Sequence, residues 1–178
     1  DMPLNASTAE RIYELANQKL KDLTVQELLK SFKVEFIATT DDPVDGLLDH
    51  KNYGDLKVTP TFRPDKLFAF EREYIAKLAD SANMQICSLT DLLTALSCRL
   101  DYFVQKGCRM ADHGMEQFPL GYATKEEAEA LFNKIGALNQ EERERLKGFI
   151  LVWLCKQYAK RNITVQLHFA VTRNVNPQ

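Results

Sequence analysis

The sequence predicts an α/β fold in which four short parallel strands alternate with pairs of helices. Two observations predict it. Four runs begin with apolar residues and end in polar ones, and helical spacing with helix-capping signals fills most of the gaps between them. Strands that alternate with helices imply parallel pairing and right-handed crossovers. The 178 residues fit one domain with a hydrophobic core.

The four strand-like runs all carry polar groups at their C-terminal ends. They are Val34–Pro43, Lys57–Asp65, Cys108–Gly114 and Val165–Asn174. Parallel α/β folds build their active sites from the C-terminal ends of strands and the loops that follow. Four such ends therefore indicate one shared site, a pattern typical of an enzyme.

Helix-capping signals predict where the helices begin and end. Along the chain the expected order of elements is helix, helix, strand, loop, strand, helix, helix, strand, helix, helix, strand. Residues 66–82 are also predicted to be helical, and loops are expected near 43–56 and 114–123. The signals are capping boxes at Ser7–Glu10, Thr24–Glu27 and Thr124–Glu127, helix starts at Ser88 and Asn139, and a stop at Gly107.

Composition and charge exclude several classes of partner. The formal net charge is -2, and no run of basic residues suggests a nucleic-acid surface. The longest apolar run, residues 148–155, is too short to span a membrane. No G-x-G-x-x-G or Walker loop is present, so no nucleotide cofactor is expected.

Cysteine spacing and the N-terminal residues predict a cytoplasmic protein. Cys87, Cys98, Cys108 and Cys155 form no C-x-x-C pair, which argues against a zinc ribbon or a thioredoxin-like motif. Scattered thiols fit a reducing compartment. The first residues have neither the basic nor the apolar region of a secretion signal.

The first two strand ends supply two acids and an arginine. Asp41 and Asp42 point to opposite faces if the strand continues through them, so one can serve a site while the other caps the next segment. An Asx turn explains either residue equally well. The planar guanidinium of Arg63 suits bidentate recognition of a carboxylate, although a structural ion pair with Asp65 is the alternative.

The third strand ends in an acid followed by a histidine. Asp112 and His113 could ligate a metal or move a proton near neutral pH. Most isolated Asp-His pairs are instead loop residues bonded to the backbone, but the position at a strand end favours function. His50, one of three histidines, is predicted to lie on the surface of a helix.

The fourth strand carries a histidine among apolar neighbours. Strand alternation places His168 on one face with Gln166, and a polar face of this kind is costly inside a fold unless it is paired or functional. A core histidine with satisfied hydrogen bonds is the alternative. Arg173 extends the polar end of the run.

Taken together, these motifs resemble the uronate isomerase (glucuronate isomerase) family of the amidohydrolase superfamily. Their order and spacing match the family over nearly the whole chain, from about Asn5 to Asn174. The matching segments are Thr39–Pro43, Pro60–Asp65, Cys108–Gly114, Leu151–Tyr158 and Gln166–Asn174.

The resemblance implies a partial (β/α)8 TIM barrel of about four strands, which is not closed on its own. Residues 1–33 would be a helical segment before the first strand. Residues 34–178 would be the central βα units of one incomplete domain, roughly barrel strands two to five. Half a barrel has two unpaired strand edges, so we also expect a homo-oligomer.

The activity implied is the interconversion of D-glucuronate with D-fructuronate and of D-galacturonate with D-tagaturonate. A proton moves between C2 and C1 through an enediol, with a divalent metal, typically zinc, bound. On this pattern Arg63 holds the substrate carboxylate, with Asp41, Asp42 and Arg173 as further substrate-binding residues. His168 lies close to the metal and the reacting carbons.

On the same pattern Asp112 and His113 line the mouth of the site as catalytic residues. His168 is the one metal ligand that the resemblance implies in this chain, because the family holds its metal chiefly with a His-x-His pair and an aspartate on other strands. The sequence has no His-x-His pair, and residues 169–172 and 174–176 depart from the family pattern.

Activity is therefore expected only of the full-length enzyme, and this chain alone is expected to be inactive. Two other hypotheses remain open at this point. One is a metal-dependent hydrolase of the same superfamily, in which a metal-bound water attacks an ester, amide or lactone carbon. The other is an inactive fragment that folds and self-associates.

Overall fold

The computed structural model describes residues 2–170 and residue 176. The chain divides into two compact units. One comprises Asp1–Ile37 with Asn52–Lys57, and the other comprises Ala38–Lys51 with Val58–Gln178. The domain boundary expected at residue 33 stays a prediction.

The elements follow the predicted order, with six α-helices, four strands and one 3-10 helix in the described part of the chain. Short parallel strands alternate with helices, and within the described residues they do not close into a barrel, as predicted. The helices are α1 (Ala9–Leu20), α2 (Val25–Ser31), α3 (Arg72–Ala82), α4 (Leu89–Gln105), α5 (Lys125–Phe132) and α6 (Gln140–Lys160). The strands are β1 (Phe36–Ala38), β2 (Lys57–Thr59), β3 (Met110–Gly114) and β4 (Thr164–His168), and the 3-10 helix is Asp65–Ala69.

The first unit contains α1 and α2, and neither helix has a buried residue. The capping box at Thr24 and Glu27 is confirmed by reciprocal side-chain bonds to the backbone. The one predicted at Ser7 is wrong, because α1 begins after Thr8 and has no side-chain cap. The hydroxyl of Ser7 donates instead to Asn5 Oδ1 at 2.7 Å. A short polar side chain that bonds locally competes with helix capping in this way.

The strands run parallel and in sequence order. Asp41 N–H donates to Thr61, and Asp41 forms a parallel bridge with Phe62 just beyond β2. Phe62 in turn bridges Ala111 of β3, also in parallel. β3 and β4 pair with Gly114 opposite His168. The C-terminal ends of all four strands therefore meet at one edge, as the sequence predicts.

The remaining helix caps follow the sequence signals. Ser88, Thr124 and Asn139 each accept a hydrogen bond from the backbone of the helix they begin. Gly107 follows α4 with φ at 93°, a left-handed conformation that suits glycine. The helix predicted over 66–82 is interrupted at Phe70, which is left-handed and separates the 3-10 helix from α3.

The hydrophobic core is formed by the strand ends, the 3-10 helix and helices α3 to α6. Phe62 is fully buried and contacts the ring of Phe103 on α4, with centroids 5.0 Å apart, and that of Tyr158 on α6, with centroids 6.1 Å apart. This packing fixes the backbone of Phe62 between β1 and β3, so it also holds the neighbouring Arg63 in place. No helix in the described ranges could cross a membrane.

Replacing Gly148 with alanine is expected to destabilise the protein by about 1–3 kcal/mol, the usual cost of overpacking. A Cβ at Gly148, on α6, would collide with the carbonyl oxygen of Gly121 in the loop after β3. Gly121→Ala is the matched control, because its added Cβ would meet no heavy atom within 4 Å. Urea unfolding of both variants measures the difference, and equal losses would contradict the packing argument.

Candidate active site

Arg63, Asp112 and His168 meet at the C-terminal ends of three neighbouring strands. Arg63 Nη1 lies 3.1 Å from Asp112 Oδ2, and His168 Nε2 lies 3.0 Å from Asp112 Oδ1. The second contact lacks the alignment of a hydrogen bond, and it is an ion pair only when the imidazole is protonated. The side chain of Asp112 is 11% exposed and that of His168 is 47% exposed. The carboxylate is thus largely shielded while the imidazole can reach a ligand.

His113 lies on the other face of β3, because successive strand residues point in opposite directions. Its side chain is fully buried, and Nε2 lies 3.0 Å from the hydroxyl of Tyr158. Burial lowers the pKa of His113 to about 4, since the charged imidazole would lose its water. The structure therefore places His113 apart from the Arg63–Asp112–His168 cluster. A catalytic role for it stays a prediction, without a contact to support it.

Asp65 contacts a different nitrogen of the Arg63 guanidinium from the one that Asp112 contacts. Arg63 Nε donates to Asp65 Oδ2 at 2.7 Å. This hydrogen bond raises the pKa of Arg63, so the side chain is cationic throughout the useful pH range. The two predicted alternatives, a structural ion pair and a site arginine, are therefore compatible. The sequence predicts Asp65 only as a structural partner of Arg63.

Asp41 forms a second, separate cluster with Thr39 and His50. Thr39 Oγ1 donates to Asp41 Oδ2 at 2.6 Å and lies 2.7 Å from His50 Nε2. His50 Nε2 also lies 3.3 Å from Asp41 Oδ1. The prediction of a surface helix at His50 is wrong: the residue lies in a loop, and its side chain is only 11% exposed. The loop folds back because the imidazole finds polar partners at the strand end.

Asp42 is buried, and its carboxylate has partners different from those of Asp41. Its Oδ1 accepts hydrogen bonds from the hydroxyl of Tyr74 at 2.7 Å and the backbone N–H of Val44 at 3.2 Å. Its Oδ2 lies 3.5 Å from the Lys66 ammonium. The bond to Val44, two residues on, is the Asx turn that the sequence left open as an alternative.

Arg99 on α4 holds the loop that follows β1. Its guanidinium donates to the carbonyls of Pro43, Asp45 and Ser81, with distances between 2.6 and 3.0 Å. The residue is only 8% exposed. Sequence reasoning missed Arg99, because an arginine at helical spacing gives no signal of its distant partners.

A polar cavity of about 290 Å³ opens beside Arg63. Larger cavities of about 360, 690 and 480 Å³ are also present, but none of them is lined by a residue at the C-terminal end of a strand. We therefore assign the site to the polar cavity and the adjacent strand ends. The polar cavity is lined by Thr40, Asp41, Asp42, Asp45, Arg63, Asp65 and Lys66.

The described residues do not form a metal site by themselves. Zinc sites use three or four protein ligands, and no group of three or more His, Cys, Asp or Glu side chains in residues 2–170 is arranged to hold an ion. His168 Nε2 faces Asp112 Oδ1, which gives at most two donors. Arg173, predicted to bind substrate, lies outside the described residues.

Sequence comparison finds one family over the whole chain. The family model described as glucuronate isomerase matches residues 1–178. A uronate isomerase from Brachyspira hyodysenteriae is 38% identical over 189 residues, covering 97% of this chain and 40% of that protein. One from Geobacillus thermodenitrificans is 35% identical over 187 residues, with the same coverage.

Structural comparison agrees with the sequence. The uronate isomerase of Thermotoga maritima superposes with a TM-score of 0.88 at 31% identity, covering 94% of this chain and 40% of that one. The glucuronate isomerase of Caulobacter crescentus gives 0.86 at 25% identity, covering 98% and 39%. The chain thus spans about two fifths of the length of these relatives.

Proposed function

Because the chain belongs to the glucuronate isomerase family, we propose that it forms the part of a uronate isomerase that binds the substrate carboxylate and orients the reacting carbons. In this proposal the whole protein interconverts D-glucuronate with D-fructuronate, and D-galacturonate with D-tagaturonate. The observation that carries it is the convergence of Arg63, Asp112 and His168 at three adjacent strand ends.

Arg63 binds the carboxylate end of the open-chain sugar in this proposal. Its Nε and Nη1 are engaged by Asp65 and Asp112, and Nη2 donates no hydrogen bond to a described residue. A guanidinium nitrogen that stays free is available to donate to a carboxylate oxygen. Asp41 and Asp42 line the same polar cavity, where they would accept hydrogen bonds from sugar hydroxyls.

His168 faces the reacting carbons, and Asp112 orients its ring. The isomerisation removes a proton from C2 and returns one to C1, so it needs a group that gains and loses a proton near neutral pH. Imidazole has this property. Asp112 Oδ1 lies 3.0 Å from His168 Nε2, which places the carboxylate where it can orient the ring.

A divalent metal, zinc by the family resemblance, would polarise the substrate carbonyl when bound. Since the described residues supply too few ligands, we propose that most of its ligands lie on other strands of the whole protein. Homo-oligomerisation and a cytoplasmic location stay predictions.

Conversion of D-glucuronate by the whole protein tests the proposal. Proton NMR should show loss of the aldose signals and growth of the ketose signals, with and without added zinc. The 178-residue chain alone is expected to give no turnover. A whole protein that forms no ketose but consumes water on a uronic ester or lactone would overturn the proposal in favour of a hydrolase.

A further inference from the structure

The Asp65 carboxylate connects the ends of two neighbouring strands. Its Oδ2 accepts the hydrogen bond from Arg63 Nε at 2.7 Å. The backbone N–H of Gly114, the last residue of β3, donates to both carboxylate oxygens, each 3.1 Å away. Asp65 thus joins the arginine that follows β2 to the main chain of β3.

The guanidinium of Arg63 is held by one hydrogen bond and one ion pair, each at a different nitrogen. Asp65 engages Nε, and Asp112 lies 3.1 Å from Nη1. The guanidinium is planar, so two fixed nitrogens also fix the direction of Nη2. The Arg63 side chain is 20% exposed, which leaves part of it open to a ligand.

Two physical effects of Asp65 oppose each other. As a negative charge beside Arg63, it weakens the attraction of the site for an anion. As a hydrogen-bond acceptor, it holds the guanidinium in one orientation and so reduces the cost of ordering that side chain when a ligand binds. Removal of the charge would tighten anion binding if the first effect dominated, and would weaken it if the second did.

We propose that Asp65 is a positioning residue, which holds Arg63 so that Nη2 meets the substrate carboxylate. This inference rests on the proposed function, because it takes a uronate carboxylate as the ligand of Arg63. It goes further by assigning the orientation of the arginine to Asp65 and, through Asp65, to the backbone of Gly114.

The kinetic test is Asp65→Asn in the whole protein with D-glucuronate. An asparagine keeps the size and an acceptor oxygen but loses the charge-assisted bond. We expect KM to rise about tenfold, with a smaller change in kcat, since misplacing a substrate-binding group by a fraction of an ångström has effects of this order. A KM that is unchanged or lower would overturn the proposal.

Asp101→Asn is the matched control. Asp101 lies on α4 and does not line the polar cavity, but its Oδ1 also accepts a 2.7 Å hydrogen bond from an arginine Nε, that of Arg161. The variant undergoes the same change of charge, and its KM is expected to be unchanged. An equal rise in both variants would show that loss of a negative charge, and not the orientation of Arg63, is responsible, and would also overturn the proposal.

A second measurement is independent of activity. NMR can follow the hydrogen exchange of the Arg63 Nε–H in the chain, with the signal assigned from its loss in Arg63→Lys. Exchange should be slow in the parent. It should be about tenfold faster in Asp65→Asn, because asparagine is a weaker acceptor for the Nε–H than the carboxylate. Equal exchange rates would overturn the positioning role. If the parent protein does not isomerise D-glucuronate, the proposed function fails, and this exchange measurement alone decides whether Asp65 holds Arg63.

Discussion

Replacing His168 with asparagine is expected to slow isomerisation by the whole protein about 10²–10⁴-fold, the usual contribution of a proton-transferring side chain. The side chain is 47% exposed at the strand end, and Nε2 lies 3.0 Å from Asp112 Oδ1. Asparagine retains a polar group of similar reach but cannot gain and lose a proton near neutral pH. The loss should therefore fall mainly on kcat.

The fold should survive this change, because the strand is held by backbone contacts at His168. Its carbonyl accepts from Met115 N–H at 2.8 Å, and the residue pairs with Gly114 in the β3–β4 register. Thr164→Asn, at the opposite end of β4, is the control and should retain parental turnover. A His168→Asn enzyme with kcat within a few fold of the parent would show that another group moves the proton.

The sequence predicted the arrangement of the elements because local signals and fold rules agree here. Three capping patterns that begin α2, α5 and α6 are present as expected. Parallel pairing follows from the alternation of strands and helices, which also places the polar ends together. The Ser7 pattern failed because Asn5, two residues earlier, offered a competing local bond. The sequence alone does not rank two local hydrogen-bonding patterns of equal strength, such as the capping box at Ser7 and the side-chain bond to Asn5.

The site was predicted only in part, for a physical reason. Arg63, Asp112 and His168 follow from strand position and residue type, and they do meet. Neighbouring residues of a strand point to opposite faces, and the sequence does not show which face meets the site. In the structure Asp112 faces Arg63 and His113 faces Tyr158. Long-range partners, such as Arg99 with the carbonyl of Pro43, leave no sequence pattern at all.

His113 is expected to lower the free energy of unfolding in acid by up to about 3 kcal/mol. The figure follows from the difference of about 2.5 between its unfolded and folded pKa values, since each pKa unit corresponds to about 1.36 kcal/mol. Burial lowers the pKa of the folded imidazole from 6.5 to about 4. Below pH 6.5 the unfolded chain therefore binds a proton that the folded chain does not accept. Stability from this source is complete above pH 6.5 and is lost as the pH falls towards 4.

Urea unfolding of the parent and of His113→Gln between pH 7.5 and 4 measures this effect. Glutamine cannot titrate, so the free energy of unfolding of the variant should fall less steeply with pH than that of the parent. The remaining acidic groups contribute equally to both proteins, so their effect cancels in the difference. Parallel profiles would contradict a buried, neutral His113. The difference includes the effects on His113 of Asp65 and Asp112, whose charges favour its protonated form, and of Arg63, whose charge opposes it.

The cause of the lowered pKa can be tested at Tyr158. Loss of water around the imidazole is the largest cause, ahead of the charges of Asp65, Asp112 and Arg63. Tyr158→Phe removes the hydroxyl 3.0 Å from Nε2 but leaves the ring that covers His113. Its stability should therefore still fall steeply in acid. A flat profile in Tyr158→Phe would mean that the hydroxyl contact, and not burial, keeps His113 neutral in the folded chain.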